Sequence, residues 1–345
     1  MSTVGTIKKL INDPGDIAPE LVQAFALAHA DIIRACGERV IARREPIAAG
    51  GDAPGKVGIA TGGGSGHEPA FLGYVGPGMA DAAAVGNVFA APSPDVILRS
   101  IQEADRGQGV LLVYGNYSGD VMNCRLAVRK ASAEGIEVRQ LFVTDDLASA
   151  GPDETDRRRG IAGDVMVLKI AGAAAEAGRS LDEVERLAIK ANDRTRTLGI
   201  ALAAGELPGS PQPVFETGPE DMEVGLGVHG EPGISRQPLT TADAAGALLA
   251  DQLIADLGLA GGEDVVLMLN GLGATPVLEQ YLVYAAVRRT LEAHGVTVSR
   301  SLVGEYVTSL QMAGLSATVL VLDDELRPLY DAPARTAGLT AGPNQ

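Results

Sequence analysis

Along this chain short apolar runs alternate with longer stretches in which apolar positions recur at helical spacing, the pattern of an α/β protein. Residues 17–36 predict a helix, with Asp16 at its N-cap and Pro19 tolerated in the first turn. Residues 56–60 predict a short buried strand that runs into a glycine-rich loop over 61–69. After a helix over 95–105, residues 110–114 predict a second strand leading into the loop 115–120, and then a helix over 121–134. A third strand is expected over 138–143, ending at Thr144-Asp145-Asp146. Ligands of open α/β sheets sit beyond the C-terminal ends of strands, so the three loops are expected near one another.

Residues 152–159 read as a charged, solvated loop before a small-residue helix over 161–178. Ser180-Leu181-Asp182-Glu183 is a capping box opening a helix that runs to about 196. Further strands are expected over 197–203, 222–228, 265–269, 296–303 and 316–322, with helices over 241–258 and 276–293, and a frayed tail from Thr336. The fold expected is two α/β domains. The first, 1–196, has a largely parallel sheet, and the second, 197–345, is a smaller mixed α/β sandwich.

At 46% hydrophobic residues the chain can bury a substantial core, and disorder is not expected. Aromatics at 3% and a formal charge of −16 argue against a nucleic-acid surface, and the charge also argues against an anionic membrane. With no secretory leader pattern at the N-terminus and no apolar run of membrane-spanning length, a soluble, cytoplasmic chain is expected. Cys36 and Cys124 form no metal framework and fit a reducing compartment.

Of four histidines, His29 and His294 read as structural, His294 because it ends a helix where a cation suits the dipole. His67 and His229 lie in glycine-rich stretches and are the candidates for chemistry. The run 62–67 is neither a P-loop nor a dinucleotide fingerprint. Asp120 reads as a helix-start carboxylate, Asp145 and Asp146 likewise, and 270–276 as a strand-to-helix turn or a ligand loop. A zinc site of His67, His229 and Asp120, and with it a metal-dependent hydrolase, is open but lacks a short-range ligand pair.

Six ordered stretches, GGGSGHEP (62–69), NYSGDVMN (116–123), RRRGIAGDV (157–165), GLGVHGEPG (225–233), NGLGATP (270–276) and TSLQMAGLS (308–316), resemble the K subunit or K domain of dihydroxyacetone kinases. The resemblance runs from about residue 5 to 333. It implies that His229 bonds a short-chain ketose covalently as a hemiaminal and that His67 and Asp120 do acid–base work. It implies that Gly64, Ser65 and Gly66 contact the ketose and that Gly115 lies at the substrate. It further implies no cofactor and no metal on this chain, with ATP (or ADP) and magnesium on a separate L-type subunit, a link to a phosphotransferase-system protein, and a homodimer. The family's Lys before Asn-Tyr is Gly115 here, and its Phe after Met-Asn is Cys124, which suggests a four- or five-carbon ketose such as erythrulose alongside dihydroxyacetone. The other reading from the resemblance is a ketose-sensing regulatory paralogue without turnover.

Overall fold

The alternating pattern becomes two six-stranded sheets in the computed structural model, which describes residues 8–44, 55–210 and 212–342. The first sheet is built from β1 (Ile33–Ala35), β2 (Val40–Arg43), β3 (Gly58–Ser65), β4 (Ala82–Val88), β5 (Val110–Gly115) and β6 (Val138–Val143), in the order β1-β2-β4-β3-β5-β6. Its β4, β3, β5 and β6 run parallel, and β1 and β2 add an antiparallel edge. The second holds β7 (Thr195–Ala203), β8 (Asp221–Val224), β9 (Ser235–Pro238), β10 (Asp264–Gly271), β11 (Thr297–Gly304) and β12 (Ala313–Leu322), in the order β11-β10-β12-β7-β8-β9. There only β10 and β11 are parallel.

The helices are α1 (Ile17–Ala28), α2 (Pro94–Ala104), α3 (Ser118–Ala133), α4 (Asp164–Glu176), α5 (Leu181–Asp193), α6 (Ala242–Leu257), α7 (Val277–Ala293) and α8 (Leu326–Asp331). Side-chain alternation on the strands sorts them into layers. In the second sheet Val265, Leu267 and Leu269 belong to a core with α6 and α7, whereas Val266 and Met268 belong to the core that contains α4 and α5. That same core takes Ile59, Leu111 and Val113 of the first sheet, whose other face packs on α2 and α3. Helix α4 is therefore enclosed between two sheets, and its residues from Asp164 to Ala175 are all buried. That position explains its Ala and Gly content: a Cβ at Gly172 would run into the backbone of Gly78 and Met79.

Several expectations need correction. The first helix stops at Ala28, and Ile33–Ala35 is instead an edge strand paired with β2. The glycines 62–64 are not loop but the end of β3. A side chain at Gly63 would collide with the Phe71 ring, and one at Gly62 with the Tyr114 hydroxyl and the Ala84 carbonyl, so close packing rather than turning requires them. Strand β4, AAAVGNV, was not expected because alanine carries little strand signal. In the charged loop Arg158 is fully buried and pairs through both terminal nitrogens with Asp256, at 2.7 and 2.6 Å. The tail expected to fray from Thr336 is ordered up to Gly342, the rest lying outside the described residues: Thr336 is buried, and β13 (Ala334–Arg335) pairs with β14 (Thr340–Ala341). The capping serine is as expected, with the Ser180 hydroxyl accepting from the Glu183 N–H. No helix among the described residues is long and apolar enough to cross a membrane.

Candidate active site

A cavity of about 180 Å³ lies where the C-terminal ends of β3 and β5 meet loops of the second sheet. His67, Asp120 and His229 all line it, with Gly64 and Gly115. His67 follows β3, Asp120 stands in the first turn of α3 after β5, and His229 sits in a turn beyond β8. The expected convergence of the β3 and β5 loops is therefore present. Asp145, after β6, instead accepts the backbone N–H groups of Ile161 and Gly163, and Asp146 binds Arg159 at 2.8 Å. Both are structural carboxyls, although neither opens a helix as the sequence suggests.

The protons of the histidine pair follow from their partners. His67 Nδ1 lies 2.8 Å from the Thr308 carbonyl oxygen. A carbonyl only accepts, so Nδ1 carries the proton. Burial, then the nearby His229, lowers the His67 pKa to about 3 despite the Thr308 bond, so the ring is neutral with a free lone pair on Nε2. That lone pair faces His229 Nε2 at 3.0 Å. Two bare nitrogens at this distance would repel, so His229 Nε2 carries the proton between them. His229 Nδ1 lies 3.0 Å from Glu231 Oε1, and the His229 backbone N–H donates to Glu231 Oε2. Burial pushes the Glu231 carboxyl up, but the hydrogen bond and charge of His229 outweigh it and draw the pKa down to about 2. Glu231 is thus an accepting carboxylate behind the His229 ring, held by both the ring and the backbone N–H of His229.

The surroundings hold this pair in place. Phe89 stacks on His67 with centroids 4.8 Å apart and planes 12° apart, and Tyr117 meets His229 edge-on at 4.9 Å. Phe89 adopts φ of +55°, a costly backbone for a non-glycine residue, at the face of the candidate nucleophile's partner. The Ser309 hydroxyl donates to the Val228 carbonyl and ties the His229 turn to the Thr308 loop. That loop is in turn held by Asn270, whose side chain accepts from the Tyr306 and Val307 N–H groups and donates to the Val307 carbonyl. Asn270 is therefore structural support, and no residue of 270–276 lines this cavity.

Two acids that line the cavity each have one oxygen without a partner. Burial raises Asp120 to about pH 7 against the opposing pull of His229, and its Oδ1 has no hydrogen-bond partner. Asp164, at the start of α4, is likewise buried with an unpartnered Oδ1, and burial, then Asp145 and Asp120, raise it well above the carboxylate range. The Tyr117 hydroxyl is also buried without a partner. Such groups are rare in folded proteins and mark places where a ligand can supply the missing bond.

The sequence reading grouped Ser65 and Gly66 with Gly64, but the structure separates them from the cavity. The Ser65 hydroxyl is spent on the Gly86 carbonyl at 2.7 Å, and the Gly66 N–H on the Glu68 carboxylate at 3.0 Å. Glu231, Tyr117 and Asp164 were missed although each lies inside a quoted motif. Glu231 had a local signal, an acid two residues past a histidine across Gly230, whose φ of +86° makes the turn. Thr308, 241 residues from His67 in sequence, had none. Among the described residues no three His, Cys, Asp or Glu side chains group as metal ligands.

The Dak1 domain family model matches residues 23–338. The chain is 45% identical over 320 residues to the dihydroxyacetone-binding subunit DhaK of the PTS-dependent dihydroxyacetone kinase 1 of Listeria innocua, covering 92% of this chain and 95% of that one. It is 44% identical over 337 residues to the L-erythrulose 1-kinase of Mycolicibacterium smegmatis, covering 96% of this chain but only 58% of that protein. The solved dihydroxyacetone kinase of C. freundii superposes with a TM-score of 0.86 at 32% identity, over 97% of this chain and 60% of that one. Sequence and fold agree: the chain belongs to the Dak1 domain family of dihydroxyacetone and erythrulose kinases.

Proposed function

We propose that this chain is a ketose-binding kinase subunit that captures a short-chain ketose on His229 as a hemiaminal and presents its terminal hydroxyl to Asp120. The observation that carries this reading is the 3.0 Å contact between the two Nε2 atoms at the cavity wall, with Glu231 behind His229. His67 draws the proton off His229 Nε2, which frees a lone pair. That nitrogen bonds to the ketose carbonyl carbon, the C=O π bond opens, and the proton passes from His67 to the new alkoxide. The imidazole keeps its Nδ1–H throughout and becomes positively charged as the Nε2–carbon bond forms, a charge the Glu231 carboxylate stabilises. Polyols such as glycerol have no carbonyl and are rejected chemically, a sharper filter than size.

Glu231→Gln is expected to weaken capture about ten- to 150-fold, since a hydrogen bond to a charged group contributes ~1.5–3 kcal/mol. Titration of adduct formation by intact-protein mass spectrometry checks this, and an unchanged dissociation constant would remove Glu231 from the scheme.

The second half of the reaction needs a phosphoryl donor. The cavity lining includes Asp120 and Asp164 but no Lys or Arg, and the sequence contains no P-loop, so a triphosphate finds no clamp here. The donor therefore comes from a partner, an L-type subunit holding ATP (or ADP recharged by a phosphotransferase chain) with magnesium; assembly as a homodimer belongs to the same reading. Purified chain with erythrulose or dihydroxyacetone, ATP and magnesium is expected to give no sugar phosphate until an L-type subunit is added. Turnover by the single chain would contradict this. Capture without turnover, whatever L-type subunit is supplied, would identify a ketose-sensing regulator instead.

The substrate favoured is a four- or five-carbon ketose. With Gly115 in place of a Lys, no long side chain fills that end of the cavity.

A further inference from the structure

We propose that Asp164 is the residue that selects ketose length, its carboxylic acid donating a hydrogen bond to the hydroxyl on the fourth carbon, which dihydroxyacetone lacks. The inference rests on the reading of the cavity as the ketose site. Three observations carry it. Asp164 lines the cavity at the first residue of α4 yet is only 3% exposed, and its Oδ1 has no partner. Gly115, which also lines the cavity, packs close beside it: a Cβ there would sit 3.1 Å from the Gly160 carbonyl, 3.3 Å from Tyr117 Cε2 and 3.4 Å from Asp164 Oδ2, so any side chain at 115 would press on this carboxyl. The cavity lining around it holds no Lys or Arg, and the charged groups acting on it, Asp145 and Asp120, are both acids.

A buried acid without a cation, beside a second buried acid, stays protonated, and burial indeed raises Asp164 well above its ordinary range. It then offers an O–H as well as an acceptor oxygen. A three-carbon ketose anchored at His229 leaves that group unsatisfied. A tetrulose places a hydroxyl where it completes the bond, and satisfying one buried polar group changes affinity by about five- to 150-fold. Asp164 touches substrate through a group remote from the reacting carbonyl, so its effect is on the choice between ketoses.

The test measures dissociation constants of the purified chain for L-erythrulose, 4-deoxy-erythrulose and dihydroxyacetone by titrated intact-protein mass spectrometry. Wild type is expected to bind erythrulose about five- to 150-fold better than the 4-deoxy compound. Asp164→Val is expected to erase that gap, and Asp164→Asn, whose amide still donates, to keep most of it. An equal affinity of wild type for erythrulose and its 4-deoxy analogue would overturn the inference without any variant, as would an unchanged gap in Asp164→Val. Capture of none of the three ketoses by wild type would overturn the proposed function itself, a different outcome from either.

Discussion

Asp120→Asn is expected to lower the rate of ketose phosphorylation by about 100- to 10,000-fold at saturating ketose, while His229 still captures the sugar. The two steps make different demands. Capture uses the relay of Glu231, His229 and His67, which Asp120 does not join by any hydrogen bond. Phosphoryl transfer needs the terminal hydroxyl to give up a proton, and Asp120 Oδ1 is a buried acceptor with no other partner. The pH dependence follows from burial, which raises Asp120 to about 7. Below that pH the base is protonated, so the turnover rate should rise tenfold per unit up to about pH 7 and level off above it. In Asp120→Asn that limb should vanish. Loss of capture with an unchanged rate at saturation would make Asp120 a binding residue.

The same substitution is expected to stabilise the fold. A carboxyl raised from 3.8 to about 7 on folding is ionised in the unfolded chain well before it is ionised in the folded one. Its contribution to stability is therefore unfavourable, growing as pH rises from about 4 to about 7 and constant above. Asn removes that term, so thermal denaturation at pH 8 should show a gain of ~1–4 kcal/mol. A falling melting temperature would indicate that the Asp120 carboxylate is stabilised in the folded state by a partner absent from this account.

Much of this site was legible in the sequence because its chemistry sits at strand ends. The runs 110–114 and 138–143 carried enough β-branched and apolar residues to define β5 and β6, whereas Asp120 read locally as a helix-start carboxylate and stood out only through the family resemblance. The triple glycine was read as a loop because glycine has no pattern of its own; only the Phe71 ring and the Tyr114 hydroxyl, packed against it, reveal that it is strand. Likewise the alanines of β4 take their conformation from β2 and β3 on either side. His67 and His229 were each conspicuous, yet nothing local shows that their ring nitrogens touch. That contact is made by the packing of the two sheets around α4, with the Thr308 loop, held by Asn270, fixing the tautomer from the far side. Asp164 was hidden for a related reason: an acid opening a helix is ordinarily a dipole partner, and only burial between two sheets turns it into an unpaired group in a cavity.

His229→Ala is expected to abolish covalent capture altogether, the largest effect of any single change. No second nucleophile can replace it: His67 Nε2 is a lone pair on a ring of pKa about 3, stacked on Phe89 and pinned by Thr308, and Cys124 lies buried with burial pushing its thiol well above its usual range. The measurement that reaches the central claim most directly is intact-protein mass spectrometry of the chain after incubation with erythrulose, dihydroxyacetone or glycerol, followed by peptide mapping. The account predicts a gain of the whole ketose mass with no loss of water, located on His229, for the two ketoses and not for glycerol, and no gain in His229→Ala. An adduct that persists in His229→Ala, or one that has lost water as a lysine imine would, contradicts it.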